Sequence, residues 1–185
     1  MPRMAEADES DEALMLRYSR GDVPAFERLY HRHEMRLWRY LYRSVCNRAT
    51  ADELLQEVWF SVVRSSTRYA PTARFTTWLF TLAHHALIDR HRRTKSDHLP
   101  DAFAELAADE VDEPSRRAEA GQHADAVIAA VEQLPQVQRD VFLLHAEGEM
   151  TLEEIAVATG TSYETVKSRL RYARSKLREL LQEHA

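Results

Sequence analysis

Residues Thr151 to Leu181, TLEEIAVATGTSYETVKSRLRYARSKLRELL, admit few folds, because two helix-start signals stand ten residues apart with a glycine between them. Thr151 with Glu154, and Thr161 with Glu164, each fit a capping box, in which a hydroxyl and a carboxylate satisfy the free amides of a helix start. Each cap contributes about 1 kcal/mol. Gly160 stands where a helix-ending residue of positive φ is wanted. Two helices joined so tightly must cross steeply, as in a helix-turn-helix.

On the second helix Val166, Leu170, Ala173, Leu177 and Leu181 repeat at spacings of three and four and form one apolar stripe. Lys167, Arg171, Arg174 and Arg178 fall beside that stripe, with Arg169 and Lys176 on its other flank. Six basic residues between Ser162 and Arg178 face one acid, Glu164, in a chain of net charge -5. A solvated charged face is the plain alternative. Positive charge concentrated on a groove-sized helix favours contact with DNA.

The remaining composition points to an all-α chain. Of 185 residues 30% are charged and 44% hydrophobic, and only four are glycine, which suits helices with cores of their own in one ordinary domain or two small ones. Cys46 is the only cysteine, so neither an internal disulfide nor a cysteine-based zinc cluster is expected, and a reducing cytoplasm is the expected location. No apolar run approaches the roughly 20 residues that span a bilayer, and the start, MPRMAEADESDE, is acidic where a signal peptide is basic and then apolar. Neither export nor membrane insertion is expected. Asp101, Glu105, Asp109, Glu110, Asp112 and Glu113 form an acidic run without a base, which leaves basic patches on either side: the second helix above, and Arg90, Arg92, Arg93 and Lys95.

Local signals divide the chain into two small helical domains, residues 1–94 and 114–185, joined by an acidic flexible linker over 95–113 that ends at Pro114. Pro24 is pre-set for the first turn of a helix that carries Phe26, Leu29, Tyr30, His33, Leu37, Tyr40 and Leu41 and runs to about Val45. Thr50 with Glu53 fits a third capping box, opening the helix ADELLQEVWFSVVRS. The pattern breaks around Tyr69–Ala73 and resumes from Phe75 through Arg93. In the second half a helix from Ser115 precedes Pro135, and QVQRDVFLLHAEG forms another that Gly148 stops.

Two segments of the first half carry more than a core needs. Along residues 51–65, Leu54, Leu55, Val58, Trp59, Val62 and Val63 cover about half the helix circumference, and Phe60 widens the arc. This describes either a centrally buried helix or one that offers Gln56, Glu57 and part of its aromatic surface to a protein. In YAPTARFTTWLFTLAHHALIDRHRR, aromatic residues beside basic ones suit single-stranded nucleic acid, although Phe75, Trp78, Leu79 and Leu82 share a face and are mostly core. The loop residues Thr72, Ala73 and Arg74 are the better candidates for an unstacked base. Among nine histidines, His85 and Asp89 are four apart but find no further ligands at a recognised spacing. No metal, cofactor or catalytic residue is expected, since no phosphate loop, nucleophile elbow or HExxH pattern occurs.

The order of these features resembles the extracytoplasmic-function sigma factors of bacterial RNA polymerase over nearly the whole chain. GDVPAFERLYHRH is similar to their first conserved helix, ADELLQEVWFSVVR to the core-binding helix and YAPTARFTTWLFTLAHHALIDRHRR to the promoter-melting segment. LPQVQRDVFLLHAEGEMTLEEIAVATGTSYETVKSRLRYARSKLREL is similar to the upstream-element reader.

The resemblance implies an alternative sigma factor that binds core RNA polymerase through Asp52, Leu55, Gln56, Glu57 and Trp59. It implies capture of a flipped minus-ten base near Thr72, Ala73 and Arg74, with Arg90, Arg92 and Arg93 in the same melting segment. It further implies that Ser162, Tyr163, Glu164, Lys167, Ser168 and Arg169 read base edges of the minus-thirty-five element, while Arg171 and Arg174 meet phosphate. The implied partners are core polymerase, promoter DNA and an anti-sigma factor, and the linker would thread near the RNA path of polymerase. His84-His85 replace the Arg-Asn pair common in the class, removing a fixed charge. A self-standing helix-turn-helix regulator with an amino-terminal sensor domain is the alternative, but it has no use for DELLQEVW followed by an aromatic basic segment.

Overall fold

A computed structural model describes residues 9–97 and 120–182, and every regular element among them is helical. The first half holds α1 (Asp11–Tyr18), α2 (Val23–Val45), α3 (Arg48–Ser65), a turn of 3-10 helix (Ser66–Arg68) and α4 (Phe75–Asp97). The second holds α5 (Ala120–Glu132), α6 (Gln136–Ala146), α7 (Leu152–Thr159) and α8 (Tyr163–Gln182). The end of α4 takes up residues 95–97, which were expected to open the linker; the rest of that linker, 98–113, and residues 114–119 lie outside the described residues. No helix among the described residues is long and apolar enough to cross a membrane.

Helix α2 is the backbone of the first half, with Pro24 in its first turn and Leu29, His33, Leu37, Tyr40 and Leu41 buried along one stripe. Against it pack α1, α3 and α4, which bury Leu14, Leu54, Val58, Val62, Phe75, Leu79 and Phe80. Each such leucine or phenylalanine contributes about 1.5–3 kcal/mol by leaving water. Two expected helix starts move. Asn47, not Thr50, caps α3, its side chain accepting the Thr50 amide at 2.9 Å, so α3 begins at Arg48. Ser162, not Thr161, caps α8, its hydroxyl accepting the Thr165 amide at 3.2 Å, while the Thr161 hydroxyl turns to Thr159 at 2.9 Å.

Helix α1 has no clear amphipathic period and was not expected from the sequence. Leu14 and Met15 are buried, and long-range polar contacts fix the helix: Asp11 pairs with Arg32 at 2.7 Å and hydrogen-bonds to His33 at 2.6 Å. Burial acts to raise the Asp11 carboxyl, but hydrogen bonds from His33 and Arg32 leave it below its ordinary value. Glu12 accepts the Phe75 amide at 2.7 Å, so α1 satisfies a free donor at the start of α4.

In the second half α6, α7 and α8 surround Val141, Leu144, Ile155, Val166, Leu170 and Leu177. Leu180 is buried at the end of the α8 stripe, where Leu181 was expected, and Leu181 is only partly buried. Gly148 does not end α6 by a positive φ; Glu147 caps that helix and Glu149 takes the left-handed conformation at φ 52°. The two halves are in contact, α2 with α5 and α6, and α4 with α7.

Candidate functional site

The helix-turn-helix is built as its local chemistry directs. Thr151 and Glu154 close a full capping box, with the Thr151 amide donating to Glu154 Oε2 at 2.7 Å and the Glu154 amide donating to Thr151 Oγ1 at 3.2 Å. Gly160 ends α7 at φ 63°, a conformation costly for any residue with a Cβ. Burying Val166, Leu170, Ala173 and Leu177 leaves the rest of α8 outward, so Tyr163, Glu164, Lys167, Arg171 and Arg174, with Ser162 just before them, are exposed. Ser168 and Arg169 are half-buried on the flank.

Two arrangements on that face were not visible in the sequence. His145 Nδ1 lies 3.0 Å from the Met150 carbonyl, so it carries the proton and leaves Nε2 to accept Arg174 Nη2 at 3.0 Å. This holds one cation of the face in place. Lys167 lies 5.9 Å from the Tyr163 ring centroid and Arg171 lies 5.0 Å from that of Tyr172, so aromatic surface supports two others.

The six residues assigned to the melting segment separate into two groups. Thr72, Ala73 and Arg74 are exposed in the loop before α4, whereas Arg90, Arg92 and Arg93 lie near its other end, about 24 Å along the helix at 1.5 Å per residue. Arg90 pairs with Glu53 at 2.8 Å and Arg93 with Glu57 at 3.7 Å, so α3 partly neutralises this cluster; Arg92 reaches Asp89 at 4.0 Å. Arg74 turns to the other half, donating to the Glu149 carbonyl at 2.7 Å and to Glu154 at 3.0 Å. His84 is buried, and burial together with neighbouring His85 lowers its pKa to about 4, so it is neutral near pH 7; His85 is exposed.

On α3, Asp52 and Gln56 are exposed, while Leu55 and Glu57 are half-buried. Trp59 differs from the rest of that group: it is 6% exposed, its ring edge-on to Phe26 at 5.6 Å and tilted against Tyr30 at 5.0 Å. It lies beneath the surface. An open apolar groove of about 360 Å³ covers it, walled by Phe26, Tyr30, Leu55, Phe60 and Val63, with Gln56 at its edge. Phe60, 64% exposed, is the apolar anchor left free, and the arc around α3 was the signal for it. Asp52 accepts Trp38 Nε1 at 2.7 Å beside this groove.

The family described as Sigma-70 region 2 matches residues 29–96, and Sigma-70, region 4, matches residues 124–177. The chain is 36% identical to RNA polymerase sigma factor CarQ of Myxococcus xanthus over 177 residues, 91% of this chain and 96% of CarQ. It is 28% identical to ECF RNA polymerase sigma factor RpoE of Cereibacter sphaeroides, covering 94% of this chain and 97% of that protein. Among solved structures, CnrH in complex with the cytosolic domain of CnrY shares the fold with a TM-score of 0.68 at 22% identity, over 96% of this chain and all of CnrH.

Proposed function

This chain belongs to the extracytoplasmic-function sigma factors of RNA polymerase, and we propose that it divides its work between two surfaces, an apolar groove for polymerase and a basic helix for duplex DNA. It is an alternative sigma factor, and it directs transcription initiation with core polymerase and promoter DNA as partners. The division rests on one observation: each half leaves uncovered the side chains its task needs, Phe60 and Gln56 on α3, and Lys167, Arg171 and Arg174 on α8.

In the groove Phe60 and Leu55 bury apolar surface against a polymerase helix while Asp52, Gln56 and Glu57 give polar register. Trp59 supports the groove floor from within. On α8, Ser162, Tyr163, Glu164, Lys167, Ser168 and Arg169, at or near the amino-terminal end, are placed to meet base edges, and Arg171 and Arg174 to neutralise phosphate. Thr72, Ala73 and Arg74 form the loop that accepts a flipped base, and Arg90, Arg92 and Arg93 hold the strand backbone about 24 Å further along α4. The neutral, buried His84 gives no charge to that strand.

A sigma factor is an initiation factor, and we assign this chain no catalysis of its own, a cytoplasmic location beside the chromosome, and an anti-sigma factor as its regulator. CnrH, which shares the fold, was solved with the cytosolic domain of CnrY. Reconstitution with core polymerase tests the reading. The expected result is initiation from a promoter bearing both elements, weakened by Phe60→Ala at the polymerase-binding step and by Lys167→Ala at the DNA step. Absence of any complex with core polymerase overturns it.

A further inference from the structure

His145 stands in the last turn of α6, half-buried, with a partner at each ring nitrogen. Nδ1 lies 3.0 Å from the Met150 carbonyl oxygen, and Nε2 lies 3.0 Å from Arg174 Nη2. A carbonyl oxygen accepts and a guanidinium donates, so the ring is the neutral tautomer with its proton on Nδ1. One side chain of α6 thereby joins a backbone group at the start of α7 to a cation of α8.

The Met150 carbonyl is a fixed point. Met150 is 1% exposed, and its amide donates to the Leu144 carbonyl at 3.3 Å. Its carbonyl shares a peptide plane with the Thr151 amide, which donates to Glu154 Oε2 at 2.7 Å in the capping box of α7. The box that starts α7 thus also sets the direction in which His145 is held, and through His145 the place of the Arg174 guanidinium.

We propose that His145 is a positioning residue for DNA binding, which holds the Arg174 guanidinium from outside α8 in the posture that meets a phosphate of the upstream element. The role rests on the reading of Arg174 as a phosphate contact given above. Arg174 differs here from its neighbours on α8. Lys167 lies over the Tyr163 ring and Arg171 over that of Tyr172, so their supports belong to α8 itself. The support of Arg174 comes from α6, which fixes the cation relative to the whole helix-turn-helix. It stands about 16 Å along α8 from Tyr163, at 1.5 Å per residue, away from the end assigned to base edges.

The chemistry of the support suits this role. Arg74, Arg90 and Arg93 are each met by a carboxylate, which offsets their charge. A neutral imidazole acceptor holds Arg174 without cancelling its charge, and a guanidinium bonded through Nη2 keeps its remaining N–H groups for phosphate oxygens. Ordering a long, exposed side chain on its partner lowers affinity by a factor of about two to ten, and a side chain already held in one posture avoids that loss.

Holoenzyme formed from core polymerase and the full chain, titrated against a promoter fragment bearing both elements over a series of salt concentrations, tests this. His145→Phe keeps an aromatic ring and removes the acceptor. It is expected to lower affinity about two- to tenfold and to leave the salt slope unchanged, because the same cations still reach the DNA. Arg174→Ala is expected to lower affinity and to reduce the slope by about 1, and adding His145→Phe to it should cost nothing further, whereas a merely structural histidine would weaken that double variant too. Nitrogen-15 NMR of the unsubstituted protein at about pH 8 reads the tautomer without any variant, and is expected to find the proton on Nδ1. Unchanged affinity of His145→Phe, additive losses in the double variant or a proton on Nε2 overturns the positioning role. An Arg174→Ala variant with unchanged affinity and slope overturns the phosphate reading itself, and the positioning role with it.

Discussion

Gly148 and Phe80, one from each half of the chain, touch so closely that a Cβ on the glycine would stand 3.2 Å from the phenylalanine ring and 2.5 Å from the Leu144 carbonyl oxygen. The glycine is thus a close-approach residue between helices α6 and α4. Its neighbours Glu147 and Glu149 take up the charged contacts on either side.

Gly148→Ala places a methyl group against a backbone oxygen that has little room to move. We expect a loss of about 1–3 kcal/mol of stability, as for an overpacked core. Urea unfolding of the full chain measures it, and an unchanged midpoint would show that the turn yields.

Asp140 gives a pH dependence. Burial pushes its carboxyl from 3.8 up to about 6, against the opposing hydrogen bond from Gln136 and the charges of Arg139, His91 and Arg169. The folded value exceeds the unfolded one, so as pH rises the unfolded chain releases this proton first. The group costs stability progressively from pH 4 to above pH 6, by about 2–3 kcal/mol in full. Asp140→Asn, whose carbonyl still accepts from Gln136 Nε2, should stabilise the protein at pH 7.5 and make no difference near pH 3.5. Equal denaturation midpoints at pH 7.5 would refute this.

Trp59 and Phe60 are adjacent in sequence and opposite in consequence. Trp59→Ala removes a buried ring packed on Phe26 and Tyr30 and should cost about 3–5 kcal/mol of folding stability. Phe60→Ala, at a side chain 64% exposed, should leave the melting temperature within about 1 °C and weaken core polymerase binding about tenfold. Thermal unfolding and a polymerase titration, run on both variants, separate the two.

Arg174 is held by His145, which is itself fixed by the Met150 carbonyl. Arg174→Ala should lower affinity on every promoter alike and reduce the salt slope of binding by about 1, the loss of one phosphate contact. A loss confined to certain promoter sequences would make Arg174 a base reader.

Short-range chemistry made most elements legible before any coordinates. The capping box at Thr151, the turn at Gly160, Pro24 at the start of α2 and the apolar spacing of α2 and α8 each depend on residues within a turn or two of one another. The order of four motifs then pointed to the family, and with it to the surfaces proposed for polymerase, melting and the upstream element. The boxes expected at Thr50 and Thr161 gave way to caps three residues and one residue away, Asn47 and Ser162.

What the tertiary structure alone decided are relationships between residues far apart in the chain. Helix α1 has no clear period to announce it and is fixed by burial of Leu14 and Met15 and by the contacts of Asp11 with Arg32 and His33, and of Glu12 with Phe75. An apolar arc on α3 cannot say which of its members a neighbouring helix will cover; α2 covers Trp59 and leaves Phe60 free. Nothing near Arg36, Arg39, Arg43 or Arg74 in the sequence names their partners, yet all meet Glu147, Glu149 or Glu154. Charge attracts without regard to sequence separation, so only the meeting of two helix faces determines which acid each arginine finds.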